Sequence, residues 1–176
     1  FRNMDFAFIL QSSVTIIGDG AESVIKFCDN AYTKTTAASG AALFLGNLVN
    51  DVTISNININ MNGYNNLKPV DYQFIIGYPI CFWNSSNIKI DNVNIYDIFG
   101  RNAIVLNGDV DRQNELMNNA FVHNCTINTG GTSIPLNTTQ NDYSAIYVSM
   151  KNVVISNTVI TNKILPLRNS GGIEVH

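Results

Sequence analysis

VTISNININMNG, residues 52–63, slips out of phase with itself. Val52 and Ile54 alternate with polar residues, and so do Ile57 and Ile59, as a half-buried strand requires. Between the two pairs, at Asn56, the alternation shifts by one position. A flat strand cannot shift without turning its apolar side to water. A chain that bends sharply at one residue can keep both arms against the same core. Such corners commonly use the left-handed backbone region, which Gly visits freely and Asn more readily than most. Asn56 is therefore expected to be a corner. Asn58 and Asn60 are expected to be outward polar positions that many residues could fill.

The motif recurs. VTISNINI (52–59) matches IKIDNVNI (88–95), FVHNCTI (121–127) and VVISNTVI (153–160), with VTIIGDG (14–20) as a looser copy. The marker residues are Gly18, Asn56, Asn92, Asn124 and Asn157, separated by 38, 36, 32 and 33 residues. An apolar run precedes each later copy: ALFL (42–45), ICFW (80–83), AIVL (103–106) and AIYV (145–148). GIEV (172–175) begins one more. Each repeat thus supplies three short strands. Polar loops of variable length return the chain, and NGDVDRQNELMNNA (107–120) is an insertion.

Self-similarity at this period marks a solenoid. No segment keeps i, i+3, i+4, i+7 periodicity over ten residues, so a helical solenoid is excluded. A β-sandwich is the remaining rival, and the recurring one-residue slip argues against it. The expected fold is all-β: a single-stranded, right-handed parallel β-helix of about five coils, its layers ~4.8 Å apart. An Asn ladder through the five markers would tie the layers together. Residues 1–176 form one domain in this reading. The sequence opens without Met and closes on SGGIEVH inside a strand pattern, so it is expected to be a fragment cut at both ends.

Composition agrees with a chain that buries much and covers itself with uncharged polar groups. It is 45% hydrophobic and 13% charged, against a usual charged fraction of ~25%. It holds 27 Asn and 22 Ile. An AT-rich genome would inflate both, so their positions carry the argument and their number does not. Net charge is −3 without a basic run, which argues against nucleic-acid binding. No run reaches the ~18 apolar residues of a membrane span, and FRNMDFAFIL lacks the basic region of a signal peptide. Cys28, Cys81 and Cys125 are odd in number and lack metal-ligand spacing, so free thiols are expected. No metal or cofactor is expected. Three glycosylation sequons are about what chance supplies in so Asn-rich a chain.

VTIIGDGAESVIKF (14–27) and Asn-cornered coils such as NVVISNTVI (152–160) resemble the pectate lyase-like β-helix superfamily, most closely its bacterial and phage tailspike branch. The likeness spans nearly the whole chain and is carried by corner and core residues. It implies a protein that cleaves, epimerises or binds polysaccharide, in a homotrimer, on a virion or outside a cell. The polygalacturonase-type set (NTD, a DD pair, GHG, RIK) has no match, and no paired Asp residues suggest a pectate lyase calcium site. Whether the chain is an enzyme therefore stays open at this point.

The resemblance also implies that substrate lies on the outer face of each coil's first strand. Aligning these strands by distance to the next strand turns Cys81, Trp83, Ile146 and Val148 inward. Phe44, Phe82, Val105, Tyr147 and Glu174 then form an outward column, with His176 on the same face. A one-residue shift would turn Trp83 outward and Phe82 inward. On this alignment Phe44, Phe82, Tyr147 and His176 would bind sugar rings. Glu174 and Asp142 would form a carboxylate pair for acid–base work. The competing reading is that return loops cover the aromatics as ordinary core. Further loop candidates are Asp97, Asp109, Asp111, Arg112, Glu115 and Tyr143, with Arg101 or Arg168 as a lyase base. GDVDR holds only part of a calcium loop. The expected function is a phage tailspike or virion-appendage domain that binds polysaccharide, with its degradation left open. The alternatives are a structural virion fibre and a secreted bacterial lyase or hydrolase.

Overall fold

The structure, a computed structural model, describes residues 4–29, 40–66, 76–98, 102–108, 118–128, 144–161 and 172–176. They form fourteen strands, with one 3-10 turn at Gly63–Asn65 and no α-helix among the described residues. One sheet stacks β1 (Met4–Ile9), β4 (Gly40–Asn47), β6 (Ile76–Trp83), β8 (Ile104–Asn107), β11 (Ile146–Val148) and β14 (Ile173–Val175) in that order. The second sheet is built on β5 (Asn50–Asn60) and β7 (Ser86–Tyr96), each bent through a corner. In the other layers the same path is split in two. The pairs are β2 (Thr15–Ile17) and β3 (Val24–Lys26), β9 (Asn118–His123) and β10 (Thr126–Asn128), and β12 (Lys151–Ser156) and β13 (Val159–Thr161).

Every strand pair is parallel. Parallel strands joined one layer at a time make a β-solenoid, so the expected all-β parallel β-helix is the fold. The coil count differs from the expected five. About three turns, carried by β4–β5, β6–β7 and β8–β10, have a stacked neighbour on both sides. The layers of β1–β3 and of β11–β13 flank them.

The interior is made of side-chain columns, because parallel register puts like residues above one another. Phe8, Phe44, Ile80, Ile104, Ile146 and Ile173 form one column. Ile16, Ile54, Ile90, Val122 and Ile155 form another on the second sheet. In the three inner layers Phe44, Ile54, Ile80, Ile90, Ile104 and Val122 are at most 1% exposed. Each such side chain contributes roughly 1.5–3 kcal/mol of transfer free energy. In the outer layers of the first column Phe8 and Ile173 are 48% and 47% exposed.

The corner reading holds at four of its five markers. Asn56, Asn92, Asn124 and Asn157 have φ of 55°, 53°, 53° and 46°. Asn92 Nδ2 donates to Asn56 Oδ1 (2.8 Å) and Asn157 Nδ2 to Asn124 Oδ1 (3.4 Å). Between them Asn124 Nδ2 reaches Asp91 Oδ1 (3.3 Å), beside Asn92. Gly18 is the exception: it is not among the residues with positive φ, and Gly20 (φ 104°) turns the chain instead. Ile17 pairs with Ser55 and Val24 with Asn58, so Ser23 stands opposite Ile57. Five residues, 18–22, therefore occupy the path that Asn56 alone covers. Gly18 is required for space, since a Cβ there would lie 2.3 Å from the Asn56 carbonyl oxygen.

A second left-handed column was not expected. Ser13, Asp51, Asn87, Asn119 and Asn152 have φ of 61°, 58°, 54°, 69° and 54°. Asn87 donates to Asp51 (3.0 Å), Asn119 to Asn87 (3.1 Å) and Asn152 to Asn119 (3.4 Å). Asn58 is also more committed than its outward position suggested. It accepts from Asn94 Nδ2 (2.9 Å) and donates to the Ala21 carbonyl (2.8 Å), which anchors the widened first corner. Asn60 likewise accepts from the Asn62 backbone N–H (2.7 Å).

Candidate functional site

The outer face of the first sheet carries two columns. The first is Ile9, Leu45, Cys81, Val105, Tyr147 and Glu174. The second runs Asn47, Trp83 and Asn107 by register. Ser149 and His176 continue it, with Ser149 Oγ donating to Asn107 Oδ1 (2.7 Å) and the His176 backbone N–H to the Val148 carbonyl (2.9 Å).

This register corrects the expected outward column at two positions. Phe44 and Phe82 point into the solenoid, 1% and 0% exposed, and belong to its central cluster. Trp83 faces outward instead. The cause is a turn of changing length. Trp83 precedes the second-sheet residue Ser86 by three positions, whereas Ser149, its equivalent, precedes Lys151 by only two. Counting back from the second sheet therefore misplaces Tyr147 against Phe82, when its true partner two layers down is Cys81.

The outward face is itself largely buried at its middle. Ala42, Leu45, Tyr78, Cys81 and Val105 form a separate apolar cluster, and Trp83 and Tyr147 pack against it half-buried. The Trp83 indole N–H donates to Cys81 Sγ (2.7 Å), which fixes the ring. Burial pushes the Cys81 thiol up to about 12, the indole contact opposing this in part. Cys81 and Cys125 are buried free thiols and Cys28 is an exposed one.

Polarity increases toward the last layers. Ser149 Oγ, which donates to Asn107, also accepts from the Gly108 N–H (2.9 Å). The ring centroids of Tyr147 and His176 are 5.0 Å apart, with 32° between the planes. His176 Nε2 lies 2.5 Å from Glu174 Oε1, and both side chains reach solvent. Tyr147, Glu174 and His176 are thus gathered in one place, as expected, with Trp83, Asn107 and Ser149 added. Asp97 lies elsewhere, at a left-handed turn (φ 52°) that closes the second sheet's path. Asp142, Arg101, Asp109, Asp111, Arg112, Glu115, Tyr143 and Arg168 lie outside the described residues.

Chemically, this face offers two half-buried aromatic rings, hydroxyl and amide groups, and one carboxylate held by an imidazole. No group of three His, Cys, Asp or Glu side chains among the described residues is placed to hold a metal ion. No protein-family model, curated protein or solved structure matches the chain.

Proposed function

We propose that this chain is a polysaccharide-binding β-helix of a phage tailspike or similar virion appendage, reading a bacterial surface glycan along the outer face of its first sheet. The observation that carries the reading is the pairing of Trp83 and Tyr147, half-buried and outward, with Asn107, Ser149, Glu174 and His176. Sugar rings present apolar C–H faces and a polar hydroxyl edge. A surface of fixed aromatic rings beside amide, hydroxyl and carboxylate groups complements both. Trp83 and Tyr147 stand two layers apart, or ~9.6 Å along the solenoid, so an extended glycan lying along the axis would meet both.

Glu174 is the carboxylate at hand for acid or base work on such a chain, with His176 as its hydrogen-bond partner. Hydrolysis needs a second carboxylate, for which the sequence offers Asp142. Binding is therefore the core of the proposal, with cleavage as its extension and a trimer as its expected assembly. A purely structural fibre segment is the rival.

Trp83 is the only tryptophan in the chain, so its fluorescence reports this face alone. Titration with bacterial capsule, cell-wall and lipopolysaccharide glycans should shift its emission with one of them. Tyr147→Ala should weaken that binding by about 1–2 kcal/mol, roughly 5- to 30-fold, as for an anchoring aromatic. Release of reducing ends during the titration would add cleavage. Trp83 emission that no glycan moves, with no glycan retained on immobilised protein, refutes the reading in favour of the fibre.

A further inference from the structure

The residue just before each corner also forms a column. Ile17, Ser55, Asp91, His123 and Ser156 stack on the outer face of the second sheet. His123 Nδ1 lies 2.7 Å from Ser156 Oγ. Asp91 is in register with His123 on the opposite side from Ser156, one layer (~4.8 Å) away. Two residues earlier on the same strands, and facing the same way, come Lys89, Phe121 and Val154. Phe121 and Val154 are 48% and 49% exposed, while Lys89 Nζ pairs with Asp91 Oδ2 (3.2 Å). Six side chains thus make a block of three rows: Lys89 with Asp91, Phe121 with His123, and Val154 with Ser156.

We propose that Ser156 and His123 form an acyl-transfer dyad that accepts short-chain acyl esters, with Phe121 and Val154 seating the acyl chain. A hydroxyl becomes a nucleophile when a base within hydrogen-bond reach takes its proton, and the separation here is within that reach. In the tautomer with its proton on Nε2, His123 accepts from Ser156 through Nδ1. Ser156 Oγ forms a bond to the ester carbonyl carbon, and its proton passes to Nδ1. The bond from that carbon to the alkoxy oxygen breaks, and the departing oxygen takes the proton, giving an alcohol and acyl-Ser156. Water then repeats the route, releasing a carboxylic acid and restoring the hydroxyl.

The test uses a fluorophosphonate probe and p-nitrophenyl acetate on the whole chain, with adducts mapped by mass spectrometry. Ser156 should carry the probe, well above Ser12, Ser86 and Ser149. His123→Gln should slow its labelling about 100-fold, the low end of what a positioned base supplies, with the thermal transition retained. Ser156→Ala should abolish the adduct and the acetate hydrolysis together. Labelling of Ser156 no faster than of the other serines, or unchanged in His123→Gln, overturns the proposal. The glycan titration at Trp83 reads the other sheet, so the two readings stand or fall separately.

Discussion

Asn92 is where the corner argument can be broken most cleanly. It is solvent-exposed, has φ of 53°, and gives one side-chain hydrogen bond, Nδ2 to Asn56 Oδ1 at 2.8 Å. Asn92→Val makes two changes. It puts a β-branched residue in the left-handed region, which costs about 1–2 kcal/mol. It also removes the amide link, worth about 1 kcal/mol net. The expected loss is roughly 2–3 kcal/mol, which for a chain of this size lowers Tm by roughly 4–12 °C. Asn92→Gly removes the same link without the backbone strain, so it should lose only about 1 kcal/mol. Thr53→Val, on the outer face of the adjacent strand, is the control and should be near neutral. Thermal and urea unfolding of the three variants measures the differences. The decisive quantity is the gap between Val and Gly at position 92. If Asn92→Val is no worse than Asn92→Gly, left-handed geometry does not select Asn at these corners.

Other parts of the fold answer to simpler tests. Asn58→Thr should cost about 1–2 kcal/mol by urea unfolding, because it releases Ala21 and Asn94; a neutral result would return Asn58 to the status of a passive outward residue. Gly18→Ala should lower Tm, since its methyl would meet the Asn56 oxygen at 2.3 Å, and relieving such overpacking costs about 1–3 kcal/mol. Phe44→Ala should lose about 3–5 kcal/mol as a core truncation, and a loss within the ~0.5 kcal/mol of an ordinary surface substitution would contradict its inward placement. The Cys81 thiol, raised by burial from 9.0 to about 12, stays protonated in the fold where the unfolded chain has already ionised. Its contribution is full below pH 9 and is lost between about pH 9 and 12. Cys81→Ala should therefore show a shallower alkaline decline in urea unfolding than the parent chain, and superimposable declines would refute the burial argument.

The corner at Asn56 was legible because it disturbs a pattern. A shift of apolar phase can be seen in one dimension, and Asn92, Asn124 and Asn157 repeat it. The column of Ser13, Asp51, Asn87, Asn119 and Asn152 uses the same backbone geometry but leaves no mark on the apolar pattern. It falls where a strand begins, with no alternation before it to be disturbed, and its residue type varies. Gly18 fitted the pattern for the wrong reason, since a five-residue excursion can turn gradually and needs Gly for clearance. The orientation of the aromatic face is hidden in the sequence for a related cause. Its register depends on how many residues occupy the turn between sheets, and that number drops by one in the layer of Tyr147. Only strand pairing reveals the drop. His123 and Ser156 each stand one place before a marker Asn, so their stacking followed from the repeat once that column was traced.

The amide columns also have a direction. In all six links along the two corners the later layer donates and the earlier accepts. An Asn inside such a series must do both. A carboxylate can only accept, so it can begin a series and never continue one. Asp51 is the first amide-accepting member of its column, and Asp91 takes the link from Asn124 without passing one on from that oxygen. Asp and Asn differ by one atom, yet in this architecture they act as different punctuation: Asp opens a run of layers, and Asn carries it forward. Spontaneous deamidation of Asn119, which gives to Asn87 and takes from Asn152, would set two acceptors face to face. Chemical ageing at one surface side chain would then write a stop into the middle of the stack.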